Sequence, residues 1–104
     1  MLKTNYKKGG NIMNSYEFEV KCKDALIKIL EEKYEEKFKI KDLHLVWLSK
    51  SLQNFKCVII DLGKNQRYYE CTYNGDKDEL YVDIYQKEHN FAFKGNELTN
   101  AVNI

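Results

Sequence analysis

The chain has 104 residues and 17 basic against 16 acidic side chains, a formal charge of +1, so it has room for one domain and lacks a strongly basic or acidic character. A domain of this size removes roughly 60–65% of its surface from water on folding, which is enough for one compact core. The apolar run Cys57 to Ile60 falls far short of the ~20 residues of a membrane span, and the basic N-terminus leads into no apolar signal region, so we expect no membrane and a cytoplasmic location.

Lys, Asn, Ile, Tyr and Phe are abundant, whereas there is a single arginine, Arg67, and no proline. These are residues of AT-rich codons, so the scarcity of arginine reports a genome more than a selection against phosphate contacts. The three cysteines, Cys22, Cys57 and Cys71, are widely spaced and odd in number. That fits neither a secreted disulfide framework nor a zinc motif with close paired ligands, and each falls at an expected core position. They read as small buried thiols, with no metal and no cofactor expected.

Residues 1–12 show no apolar periodicity, contain Gly9-Gly10 and carry three lysines with no acid. Lys7 to Ile12 back-translates as AAG-AAA-GGA-GGA-AAT-ATT ahead of the ATG of Met13, which reads as a ribosome-binding site and spacer. The expectation is a non-native leader over 1–12 and a true start at Met13. Without those three lysines the count is 14 basic against 16 acidic, a net charge of −2.

Asn14 with Glu17 three residues later forms a capping-box pattern that opens a helix. Phe18, Cys22, Ala25, Leu26, Ile29 and Leu30 recur at three- and four-residue steps as its apolar stripe, and the pattern runs to about Glu36. Charges of both signs cover the rest, with Glu17–Lys21 and Asp24–Lys28 at supporting spacings. Leu43 to Leu48 then reads as a strand, Ser51 to Asn54 as a turn and Phe55 to Leu62 as a second strand. Gly63 to Gln66 is a turn before a third strand, Arg67 to Tyr73, with Tyr69, Cys71 and Tyr73 on one face and Tyr68, Glu70 and Thr72 on the other. Asn74-Gly75 reverses the chain into a fourth strand, Glu79 to Lys87, whose Leu80, Val82 and Ile84 alternate with Tyr81, Asp83 and Tyr85. The pattern adds a short edge strand at Asn90 to Phe93 and a loosely ordered tail over 94–104. The expected architecture is α+β: an N-terminal helix packed on a four- to five-stranded antiparallel β-meander, one domain over residues 13–93.

The stretches Val46-Trp47-Leu48-Ser49-Lys50-Ser51-Leu52-Gln53-Asn54-Phe55-Lys56 and Tyr68-Tyr69-Glu70-Cys71-Thr72-Tyr73-Asn74-Gly75-Asp76-Lys77 resemble a family of short phage and prophage proteins from low-GC Gram-positive bacteria. The family is a domain of unknown function. The likeness extends through Tyr81-Val82-Asp83-Ile84-Tyr85 and covers roughly Phe18 to Asn90. It implies an origin, without catalytic or ligand residues to carry over.

No local spacing commits to a nucleophile with a base, to paired catalytic carboxylates or to a metal cluster, so the reading is non-enzymatic. His44 in a strand and His89 near a loop read as ordinary edge and loop residues. Asp83, if near Glu70, is the best carboxylate pair, and solvation is the simpler reading of it. Tyr68, Tyr81 and Tyr85 with Lys50, Lys56 and Arg67 nearby suggest stacking of single-stranded bases, but a net charge of −2 lacks the basic footprint that such binding needs. Nucleic acid is therefore the alternative. A protein partner, from host or phage, or a second copy of the chain, is the leading expectation, because Tyr and Trp bury much area at little entropic cost. The candidate surface is Trp47, Lys50, Gln53, Asn54, Lys56, Tyr68, Tyr81, Asp83 and Tyr85. Its competing reading is that Trp47 packs beneath the helix and the tyrosines line the sheet.

Overall fold

The computed structural model describes residues 13–63 and 67–98. The expected leader over 1–12, part of the Gly63–Gln66 turn and the end of the tail lie outside the described residues.

Helix α1 spans Ser15–Tyr34 and begins at the expected capping box. The Glu17 amide donates to Asn14 Oδ1 (2.8 Å) and the Asn14 amide donates to Glu17 Oε1 (3.0 Å), satisfying two donors that the first turn leaves without intrahelical partners. Glu17 is thereby committed to the cap, and the flank is laced instead by Lys23–Glu19 (2.8 Å) and Lys28–Asp24 (3.6 Å). The helix stops two residues short of Glu36 because Glu35 turns into the left-handed region (φ 57°), where its amide and that of Glu36 cap the carbonyls of Glu31 and Leu30.

A 3₁₀ turn at Ile40–Asp42 leads into four strands: β1 (Leu43–Ser51), β2 (Asn54–Asp61), β3 (Arg67–Asn74) and β4 (Glu79–Gln86). They pair in sequence order as an antiparallel open sheet, β1-β2-β3-β4. Helix α1 covers one face of the sheet, so the fold is α+β in two layers. The core is Phe18, Cys22, Leu26 and Leu30 from α1 against Leu43, Phe55, Cys57, Ile59, Tyr69 and Cys71 from the strands. Phe18 stacks on Phe55 with ring centroids 4.8 Å apart, which ties the start of the helix to the end of β2 beside the β1–β2 turn.

The expected fifth strand is not formed. Beyond Gln86 the chain carries Lys87-Glu88-His89-Asn90 with no turn to fold it back along β4, so Asn90 to Phe93 has no strand pairing and Phe91 and Phe93 are exposed. Among the described residues of the tail, Gly95–Glu97 forms a 3₁₀ turn.

Candidate functional site

The pairing register places the outward side chains in three rows running across the sheet. His44, Ile60, Tyr68 and Tyr85 form one row, and Trp47, Val58, Glu70 and Asp83 the next. Ser49, Lys56, Thr72 and Tyr81 form the third, and beyond it Ser51 faces Asn54 and Asn74 faces Glu79. Trp47, Tyr68, Tyr81 and Tyr85 are between 40% and 49% exposed, values that leave large rings facing away from the helix. Tyr68 and Tyr85 stack, with centroids 4.8 Å apart and planes 13° apart.

The orientation of Trp47 is decided by a β-bulge. Leu45 pairs with Ile59 and Trp47 with Val58, so Val46 is an extra residue in β1. In a regular strand Trp47 would share the helix-facing side with Leu43 and Leu45. The inserted residue rotates the strand by one side-chain step, and Leu48 takes the inward place while Trp47 faces out. Packing of Trp47 beneath the helix is thereby ruled out.

The charges on this face are mostly acidic. Glu70 and Asp83 stand directly opposite one another, and Lys56 reaches Glu70 at 3.4 Å. The Tyr81 hydroxyl donates to Glu79. The charge of Glu70 is the main cause that pushes the Tyr85 phenol above its usual range, with burial and the charge of Asp83 adding to it. The aromatic surface therefore sits in a negative field.

The other candidate residues are distributed differently. Lys50 belongs to the helix side of β1, with its Nζ 5.6 Å from the Phe55 ring centroid. Gln53 and Asn54 join the β1–β2 turn to the β3–β4 turn, Gln53 through Asp76 and Asn54 by accepting from the Gly75 amide (2.9 Å). Arg67 is buried, paired with Glu36 and stacked over the Tyr34 ring at 4.3 Å, so it is not available to track a phosphate backbone. The hydrogen bond to Glu36 holds its pKa up against burial, which acts the other way.

The helix side holds two polar features that the sequence pattern did not reveal. Asp61 is buried, accepting from Tyr69 Oη and from the Gly63 amide (2.9 Å). Burial first, and then that bond, push the Tyr69 phenol well above its normal range. Nearby in the same layer, Cys57 and Cys71 are directly paired across β2 and β3, and Cys22 descends on them from α1. The three thiols are fully buried and unbridged, and their sulfurs lie within 4.8 Å of one another. Hydrogen bonds from Cys22 and then Cys71 lower the pKa of Cys57, and the bond to Cys57 raises that of Cys22. At Cys71 the bond with Cys22 lowers the pKa, but the bond with Cys57 and burial outweigh it and push it up to about 12. A convergence of three cysteines that lie 35 and 14 residues apart in the chain has no local spacing signature, which is why the sequence showed three separate core positions.

A half-open cleft of about 160 Å³ lies beside the helix start, lined by Met13, Phe18, Lys21, Tyr73, Asp78 and Leu80. Tyr73 Oη donates to Asp78 at 2.6 Å, and burial first, with that bond second, pushes the phenol up to about 12.

A family model described as a family of unknown function (DUF6275) matches residues 19–95. The chain belongs to this family. The match covers helix α1 from its second turn, all four strands and the segment after β4, and so takes in both faces of the sheet. No curated protein and no solved structure matches the chain.

Proposed function

We propose that this member of DUF6275 is a non-enzymatic, cytoplasmic accessory protein of phage or prophage origin, which binds a partner protein on the outer face of its sheet. The observation that carries this reading is the set of rows containing Trp47, Tyr68, Tyr81 and Tyr85, large rings left half-exposed by a fold that covers only the opposite face. Rings of this kind, held on a rigid sheet, have the composition of an interface centre. Glu70, Asp83 and Glu79 around them, against Lys56 alone among the outward strand residues, favour a partner patch that is apolar with a basic border. The same charges weigh against nucleic acid, whose phosphates would meet the negative field. Two further points support the non-enzymatic reading. The cleft is smaller than the roughly 300–1,000 Å³ of ordinary ligand pockets. Its titratable groups, Lys21, Tyr73 and Asp78, include a tyrosine–aspartate pair already bonded to each other. No helix among the described residues is long and apolar enough to cross a membrane. The phage origin is supported by the strings around Trp47 to Lys56 and Tyr68 to Lys77.

The test is affinity capture from host lysate with tagged wild-type chain and with Trp47→Ala and Tyr85→Ala, each with and without nuclease. Sedimentation of the chain alone accompanies it. One protein retained after nuclease, and lost from both variants, supports the reading. Capture that nuclease abolishes moves the assignment to single-stranded nucleic acid, and capture unaffected by both variants removes the outer face from it. A concentration-dependent dimer broken by the same variants assigns the face to a second copy.

A further inference from the structure

We propose that Cys22, Cys57 and Cys71 form a three-sulfur binding site for trivalent arsenic, taken up as a neutral tris-thiolate that ties α1 to β2 and β3. Three observations carry this. The sulfurs come from three different elements yet lie within 4.8 Å of one another, so one small centre reaches all three with little movement of the helix. The group contains three cysteines and no histidine or carboxylate among the described residues, which suits a soft, three-coordinate centre better than zinc with its four ligands. All three side chains are fully buried in an apolar layer, where Phe18, Leu26 and Ile59 belong to the same core, so the occupant must leave little net charge behind.

Charge decides between the thiophilic candidates. Three thiolates with a divalent zinc or cadmium ion leave one negative charge in the core, and with monovalent copper they leave two. Glu19, which acts on Cys57 while paired with Lys23, and Asp83, which acts on Cys71, are acidic, so neither offsets that negative charge. Arsenous acid avoids this cost. Each of its three hydroxyls leaves as water with one thiol proton, three arsenic–sulfur bonds replace three arsenic–oxygen bonds, no electrons are transferred, and the product is neutral. Entry requires α1 to lift from the sheet, a local opening on the path to unfolding.

The experiment uses the full chain, reduced with a phosphine, and arsenite as the probe, with native mass spectrometry and thermal unfolding as readouts. The expected result is one adduct per chain with the mass of arsenic less three hydrogens. Its formation should be hastened by sub-denaturing urea, and Tm should rise with arsenite concentration because only the folded state brings the three thiols together. X-ray absorption should report three sulfur neighbours. Cys22→Val and Cys71→Val, which keep an apolar side chain in the core, should each abolish the Tm rise. Absence of the adduct from wild type after incubation in urea overturns the site without recourse to any variant. So do an adduct and Tm rise that persist in Cys22→Val, which means a two-thiol contact, and preferential uptake of cadmium, zinc or monovalent copper from equimolar mixtures.

Discussion

Tyr68 on β3 and Tyr85 on β4 are directly opposed across the sheet, and their rings stack 4.8 Å apart on the face away from the helix. The pair is held by register alone, since each residue faces its partner wherever β3 and β4 are aligned. A double-mutant cycle with Tyr68→Ala and Tyr85→Ala in urea unfolding should return a coupling of about 0.5–1.5 kcal/mol, the usual worth of an aromatic pair beyond its buried area. Single variants should weaken partner capture far more than they weaken folding.

Gly75 is required by crowding. A Cβ at this position would lie 2.3 Å from the Gln53 carbonyl oxygen and 2.4 Å from Gln53 Cγ, where the two turns at this end of the sheet meet. Gly75→Ala should cost about 1–3 kcal/mol, because the backbone of one turn must shift. Gly95→Ala, where nothing lies within 4 Å, should stay within about 0.5 kcal/mol of wild type and serves as the control.

Glu35 holds the left-handed position that ends α1, with φ 57°. A side chain there costs about 1–2 kcal/mol of steric strain, which glycine relieves at the expense of a more flexible unfolded chain. Glu35→Gly should therefore raise stability by about 0.5–1 kcal/mol and leave the helix the same length, as read by denaturant midpoint and circular dichroism.

Alkaline pH should destabilise the fold through its phenols. Tyr73 is raised from 10.0 to about 12 by burial and its bond to Asp78, and Tyr69 is raised further, by burial and its bond to Asp61. A phenol whose pKa is higher in the folded state keeps its proton there while the unfolded chain releases it. The associated stability is complete below pH 10 and is lost as pH rises from 10 to about 12. Urea midpoints across that window should fall, and Tyr73→Phe should flatten part of the decline while leaving the neutral-pH value of the Tyr69 contribution in place.

Most of the architecture was legible because its signals are local. The capping box at Asn14 and Glu17, the helix stripe and the alternation of β4 each lie within a few residues, and all appear where the pattern put them. What was missed depends on distance or on a single irregularity. Asp61, Arg67 and the cysteine cluster acquire their partners only when separate strands and the helix meet, so neighbouring residues carry no trace of them. Asn90 to Phe93 has the composition of a strand, but strand propensity needs a neighbouring edge to be realised, and the chain does not return to β4. On the proposed contact surface, the β4 tyrosines could be assigned by alternation, whereas Trp47 could not.

The bulge at Val46 is a unit of slack in β1. Loss of that residue would leave Leu45 followed directly by Trp47, still opposite Val58 and still facing out, so a chain one residue shorter at this place would show the same surface on a regular strand. Loss of a second residue between His44 and Trp47 would exhaust the slack and turn Trp47 toward the helix. The strand thus carries one residue to spare, and what that residue protects is the outward place of the indole.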